Sequence, residues 1–327
     1  MKKAIAVLVG GTSSEYVISI RSAEQVKNLI DTSRYTPFTV LVKGWNWKAL
    51  LDDGREQDID MNDFSFMTPQ GRIKPENAFI IIHGTPGEDG KIQAYLDMLG
   101  VGYNTGGVMS SSLTFNKYVC KMYLKNSDIR MAESMLVTRE SQPSPAEIAD
   151  RLGLPCFVKP NSGGSSFGIT RVKAVEELQP AIEKAFGEDS EALIETFIGG
   201  TELTCGVLKT RSEEIIFPVT EIVSKKEFFD FEAKYTVGMA DEITPARVTE
   251  EVSRRCQDLA SQIYDLTFCK GLVRVDFILK GDDLYFLEIN TVPGMSSESI
   301  VPKQIRAMGM SETEIINKII EDMMTEG

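Results

Sequence analysis

Three short runs of aliphatic and β-branched residues constrain this chain more than any other feature. They lie at 4–9 (AIAVLV), 38–42 (FTVLV) and 78–82 (AFIII). None carries a charge or alternates with polar residues, and each is too short for a helix, so they read as strands covered on both faces. A helical stretch fills about 14–30, and a second fills 91–99. Strand and helix in alternation predict a doubly wound α/β unit, with functional loops at the C-terminal ends of its strands.

Beyond this unit the pattern changes. A helix is expected from about 108 to 125, leading into a strand near 130–137. Strands at 155–160, 169–172 and 192–195 surround a helix near 175–186. Strands then dominate from 201 until a helix at about 250–264, followed by strands at 272–279 and 284–289. A last helix opens with Ser311 and Glu314 in capping-box spacing. No repeat or low-complexity linker interrupts the chain, and we divide it at 1–105, 106–197 and 198–327.

Composition narrows the function. Of 327 residues 42 % are hydrophobic and 25 % charged, ordinary for a globular protein. A net charge of −13 without a Lys/Arg run argues against nucleic acid, whose backbone demands clustered cations. The cysteines at 120, 156, 205, 256 and 269 form no CxxC pair, and His83 is the only histidine. Zinc and a disulfide framework are therefore disfavoured, and a cytoplasmic location is expected. Lys2-Lys3 and the apolar run after them imitate a signal peptide, but the run is too short and a Gly-Gly turn follows it. No apolar run approaches the length of a membrane span.

The chemistry concentrates in four segments. Strand alternation puts Arg274 and Asp276 on one face, as it does Glu288 and Asn290, with Val273, Val275, Phe277, Tyr285, Leu287 and Ile289 on the other. A three-residue loop at Gly281-Asp282-Asp283 sets Asp276 opposite Glu288, and Arg274 opposite Asn290. Two facing carboxylates repel unless a cation joins them. With an amide oxygen alongside they suit Mg²⁺, although a solvated strand face with Arg274 neutralising one acid has the same pattern. The segment from Lys159 to Gly168, KPNSGGSSFG, offers backbone N–H groups, hydroxyls and one ammonium to an anion. It lacks the Gly-Lys-Ser/Thr of a Walker A loop, and it would serve equally as a flexible hairpin loop. At Val9 to Glu15 a strand runs into a helix N-terminus without the GxGxxG spacing of a dinucleotide site; the helix dipole alone accounts for Glu15 there. His83 to Gly90 (HGTPGEDG) ends the third strand, where a histidine is either structural or functional.

In order, these segments resemble the ATP-grasp superfamily, and within it the D-alanine–D-alanine ligases, nearly from end to end. The resemblance rests on Gly10–Glu15, His83-Gly84 with Gly87–Gly90, Val158-Lys159-Pro160 with Gly164-Ser165-Ser166, and Leu193-Ile194-Glu195. It continues through Glu232-Ala233-Lys234-Tyr235, Arg274-Val275-Asp276, Glu288-Ile289-Asn290-Thr291 and Pro293-Gly294-Met295-Ser296. It implies an N-terminal α/β unit followed by a two-subdomain ATP-grasp fold that joins two D-alanines through a D-alanyl phosphate for peptidoglycan synthesis. A D-alanine–D-lactate or D-alanine–D-serine ligase is the alternative, and Tyr235 argues against the depsipeptide form.

The resemblance also implies roles. Lys117, Lys159 and Lys234 would contact the ATP phosphates beneath a loop containing Ser165 and Ser166. Glu195 with the backbone of Phe197 and Ile198 would hold adenine, and Glu202 the ribose. Asp276, Glu288 and Asn290 would bind two Mg²⁺, for which Mn²⁺ could substitute. Glu15 would meet the first D-alanine's ammonium, near His83. Arg274 and the Gly294 N–H would stabilise the oxyanion, and Ser299 with the Ile300 N–H would hold the second carboxylate. Ser165 and Tyr235 would bond Glu15, and a homodimer is implied. Asn116, Tyr16 and Glu298 depart from the residues common at these places in relatives.

Overall fold

The computed structural model describes residues 2–165, 167–224 and 240–324. Its first sheet has six strands in the order Glu56–Asp58, Asn46–Leu50, Tyr35–Lys43, Lys3–Gly10, Asn77–Ile80 and Gly102–Tyr103. Lys3–Gly10 lies between two parallel neighbours, with Ile5 level with Pro37 and Asn77. Ile5 to Val9 are at most 1 % exposed, which is why this run tolerates no polar alternation. All three apolar runs are strands here, the third shorter than expected, and the two antiparallel strands Asn46–Leu50 and Glu56–Asp58 were not anticipated.

The last helix, Glu312–Met323, belongs to this same core. It begins at Ser311, whose Oγ accepts the Glu314 N–H at 3.1 Å. Ile315, Ile316, Ile319, Ile320 and Met323 then pack in one cluster with Ile5 to Val9. Burial of each such side chain contributes about 1.5–3 kcal/mol before entropy is counted.

A four-stranded antiparallel sheet follows, ordered Ser134–Thr138, Glu191–Thr196, Cys156–Pro160 and Thr170–Val172. Helices Pro145–Leu152 and Leu178–Ala185 close its core through Ile148, Leu152, Ala181 and Ile182. Thr201–Lys209, Gly271–Lys280 and Asp283–Asn290 form the centre of a seven-stranded sheet. Helix Glu250–Leu266 covers it with Cys256, Ala260, Ile263 and Tyr264.

Two local expectations need correction. The stretch 108–125 is not one helix but two, Val108–Phe115 and Lys117–Leu124. Asn116 is extended (φ −83°, ψ 99°) and caps the second helix by accepting the Val119 N–H at 2.9 Å. A short polar side chain that captures a free N–H makes a better helix start than a helix interior.

The hairpin loop is also shorter than expected. Asp283 pairs with Lys280, leaving Gly281-Asp282 as the connection, and this alone would shift the register by one. An irregularity between Asp276 and Phe277 restores it, so Asp276 still faces Glu288 and Arg274 still faces Asn290. That bulge overturns part of the face assignment: Leu284, Phe286 and Ile289 enter the core, while Tyr285 and Leu287 do not join Ile289 there. An extra residue on one strand turns the side chains that follow.

Candidate active site

The paired strands bring the acids and the amide together. Arg274 grips Asp276 with two bonds, Nε to Oδ1 at 2.9 Å and Nη2 to Oδ2 at 2.8 Å. Asn290 Nδ2 donates to Asp276 Oδ2 at 3.1 Å, and the Thr204 hydroxyl donates to Oδ1. Asp276 is 5 % exposed. The arginine contact is the neutralising one that a polar strand face would also show. Even so, the Asn290 NH₂ is the group spent on Asp276, which leaves its carbonyl oxygen free of that bond. Among the described residues no group of three His, Cys, Asp or Glu side chains forms a metal cluster. The donors here are two carboxylates and an amide, an oxygen set that suits a hard divalent ion.

Lys117 reaches this group from the side, its Nζ 3.4 Å from Glu288 Oε2 and bonded to the Gly163 carbonyl. The helix break explains its placement. The Lys117 N–H donates to the Asn161 carbonyl at 3.1 Å, and the Tyr118 N–H to Asn161 Oδ1 at 2.8 Å. Fully buried Asn161 thus ties the glycine-rich loop to the start of the lysine helix.

Glu195 receives Lys159 on one oxygen and Lys121 on the other. Burial would push its carboxyl up, but the two ammonium groups outweigh it and hold the value at about 2. Lys121 went unnoticed in the sequence, although it lies one turn beyond Lys117 on the same helix face. Burial lowers its own pKa. The Phe197 N–H bonds the Pro155 carbonyl at 3.3 Å, and its ring lies 4.3 Å beneath the Arg171 guanidinium. Ile198 follows it, partly buried, and Glu202 sits on the strand Thr201–Lys209 opposite Ile278.

On the N-terminal side, buried Glu15 accepts a bond from the Ser165 hydroxyl, so the glycine-rich loop reaches the first helix. A Cβ at Gly164 would lie 2.7 Å from Glu15 Oε2, so a larger residue there would displace the Glu15 carboxylate. A cleft of about 550 Å³ opens beside this contact, lined by Ser13, Glu15, Gly84, Gly164, Phe167 and Glu188 among others. Ser166, Lys234 and Tyr235 lie outside the described residues.

His83 is 5 % exposed and both its ring nitrogens are engaged. Nδ1 lies 2.8 Å from the Val292 carbonyl, and Nε2 lies 3.1 Å from Ser22 Oγ. A carbonyl only accepts, so Nδ1 carries the proton and Nε2 accepts from the hydroxyl of Ser22. Burial lowers the histidine pKa, consistent with this neutral form. Glu88 accepts the Gly84 N–H at 2.8 Å and the Val292 N–H at 3.2 Å. Burial, then the charge of Glu15, push its carboxyl up to about 7. Met295 donates its N–H to Ser22 Oγ at 3.4 Å. Ser299 occupies the N-cap position of helix Ile300–Ala307 without a side-chain capping bond, and its Oγ lies 2.8 Å from Ser296 Oγ. A Cβ on Gly294 would come within 2.9 Å of that Ser299 oxygen.

Lys117 thus joins the glycine-rich loop to Glu288, Lys159 and Lys121 meet at Glu195, and Ser165 ties the same loop to Glu15. Sequence reasoning missed Ser22, Lys121 and Thr204, and it gave Glu88 no role.

Comparisons with known proteins agree along the length of the chain. Residues 4–106 match the family model described as D-ala D-ala ligase N-terminus, and residues 123–321 match D-ala D-ala ligase C-terminus. A D-alanine–D-alanine ligase of Bacteroides fragilis is 47 % identical over 323 residues, 98 % of this chain and 99 % of that protein. The crystal structure of VanG D-Ala:D-Ser ligase from Enterococcus faecalis superposes with a TM-score of 0.87 at 31 % identity, covering 98 % of this chain and 99 % of that one. A D-alanine–D-alanine ligase from Bacillus anthracis complexed with ATP gives a TM-score of 0.79 at 27 % identity, with coverage of 99 % and 98 %. With both family models matched and near-complete coverage at 47 % identity, this chain belongs to the D-alanine–D-alanine ligase family.

Proposed function

We propose that the chain joins two D-alanine molecules into D-alanyl-D-alanine at the expense of ATP, for peptidoglycan precursor synthesis. The observation that carries this reading is the convergence of Asp276, Glu288 and Asn290 beside Lys117, in a chain that matches the ligase family at both ends.

A free carboxylate resists amide formation because its leaving group would be an oxide. In the first step an oxygen of the first D-alanine's carboxylate attacks the γ-phosphorus of ATP and ADP departs, leaving an acyl phosphate. In the second, the amine of the other D-alanine attacks the acyl carbon, inorganic phosphate leaves, and the amine sheds a proton. Lys117 and Lys159 are the described cations that would hold the phosphates, with Lys234 a third in the same reading. Glu195, Phe197, Ile198 and Glu202 would line the nucleoside end. Glu15 would bind the first ammonium near His83, with Ser165 and Tyr235 bonded to Glu15. Arg274 and the Gly294 N–H would meet the oxyanion. Ser299 and the Ile300 N–H would hold the second carboxylate at a helix N-terminus.

Asp276, Glu288 and Asn290 are the residues that would hold Mg²⁺, two ions in this reading. Bound there, Mg²⁺ supplies charge neutralisation on the transferring phosphoryl group. Among the described residues no helix is long and apolar enough to cross a membrane. A cytoplasmic homodimer built from units near 1–105, 106–197 and 198–327 completes the proposal.

The test is ADP release with ATP, Mg²⁺ and D-alanine, D-serine, D-lactate or L-alanine, with products identified by mass. D-alanine-dependent release with D-alanyl-D-alanine as the main product is expected. Release indifferent to D-alanine, or a mixed product preferred over the dipeptide, would overturn it.

A further inference from the structure

The turn after the strand Asp283–Asn290 carries Gly294, yet it is held from another unit. Val292 has both backbone groups bonded to the loop at 83–90: its N–H to Glu88 Oε1 and its carbonyl to His83 Nδ1. Met295, on the other side of Gly294, bonds Ser22 Oγ, which also serves His83 Nε2. Val292 and Met295 are 4 % and 2 % exposed, so water cannot stand in for these partners. Gly294 thus lies between two residues pinned by the N-terminal unit.

Ser22 stands inside helix Tyr16–Leu29, which starts directly after Glu15. Seven residues of helix span about 10 Å. One rigid rod therefore carries the carboxylate proposed for the substrate ammonium at its start and an anchor of the Gly294 turn two turns on. At 1 % exposure Ser22 has no surface with which to touch a substrate.

We propose that Ser22 and Glu88 are positioning residues for the ligation: through Met295, His83 and Val292 they fix the Gly294 N–H relative to Glu15. The proposal rests on the reading of Glu15 and Gly294 given above. It implies that removing these anchors slows the chemistry with little loosening of the nucleotide site, because the hydrogen bonds of Ser22 and Glu88 go to His83, Met295, Gly84 and Val292, and the charge of Lys117 is only the weakest influence on Glu88.

The experiment titrates D-alanine and ATP separately in Ser22→Ala, Ser22→Cys and Glu88→Gln, with circular dichroism to establish folding. Glutamine offers one carbonyl oxygen where Glu88 accepts two N–H groups, and its NH₂ would face one of them. Misplacement by an ångström or less costs on the order of 10- to 100-fold. We expect kcat to fall by that much in Ser22→Ala and Glu88→Gln and by less in Ser22→Cys, with KM for ATP within about twofold of wild type. Should Ser22→Ala fail to fold, the similarly sized Ser22→Cys and the nearly isosteric Glu88→Gln decide. Wild-type kcat in the folded variants, or KM for ATP rising as much as kcat falls, overturns the proposal. Wild-type protein without D-alanine-dependent ADP release would instead sink the proposed function itself.

Discussion

Replacing Glu195 by Gln and Lys121 by Met should give very unequal losses of stability. The carboxylate holds one lysine on each oxygen, and the side chains of Lys121, Lys159 and Glu195 are 5, 9 and 7 % exposed. Removing the acid strands two cations in a desolvated pocket. Breaking a buried pair this way costs about 3–5 kcal/mol. The depressed carboxyl points to the same scale: a drop from 4.5 to about 2 corresponds to about 3.5 kcal/mol at about 1.4 kcal/mol per pH unit. Lys121→Met leaves one acid facing one base and nearly conserves volume, so about 1.5 kcal/mol or less is expected.

Urea unfolding followed by circular dichroism measures both. The pH dependence has a definite sign. The folded carboxyl lies below its unfolded value, so its contribution is complete above about pH 4.5 and is lost as pH falls toward 2. The gap between wild type and Glu195→Gln should therefore narrow across that window. A Glu195→Gln protein within about 1 kcal/mol of wild type, or Lys121→Met costing as much as Glu195→Gln, would refute the reasoning.

Other outcomes can be checked separately. Asp276→Asn cannot accept both Arg274 bonds and the Thr204 hydroxyl, and D-alanine-dependent ADP release should drop on the order of 100-fold or more with the circular dichroism spectrum unchanged. Gly87→Ala would set a Cβ 2.1 Å from the Ile82 carbonyl oxygen and should cost about 1–3 kcal/mol in urea unfolding. Asn116→Ala removes the cap beside Lys117 and should cost about 1 kcal/mol, with a raised KM for ATP in the same coupled assay. Ser299→Ala should weaken the second D-alanine up to about tenfold and leave the first unchanged, read from the two-phase D-alanine dependence of the rate.

The sequence was most readable where structure is local. Uninterrupted apolar runs gave the strands of the first sheet, because residues covered on both faces admit no alternation. The pairing of Asp276 with Glu288 was inferred correctly from a wrong premise, since a two-residue loop and a bulge compensate for each other. Periodicity alone cannot reveal an inserted residue, although the spacing of Leu284, Phe286 and Ile289 carries its trace. The break at Asn116 was legible in principle as a capping side chain. Ser22 and Glu88 were not, because their partners include backbone atoms 273 and 204 residues away, and those atoms carry no side-chain signature. Lys121 hid behind Glu195, whose second partner only three dimensions disclose.

The helix Glu312–Met323 completes a core begun by strand Lys3–Gly10. During synthesis, therefore, the helix Tyr16–Leu29, which packs directly on that strand, must wait for nearly three hundred further residues before the last helix reaches it. Until then that side of the N-terminal unit stays open to chaperones or to other nascent chains. A clip that removed the helix would strip the N-terminal unit of its cover and leave the distant acids and amide untouched, so losses from such a cut should first appear as aggregation.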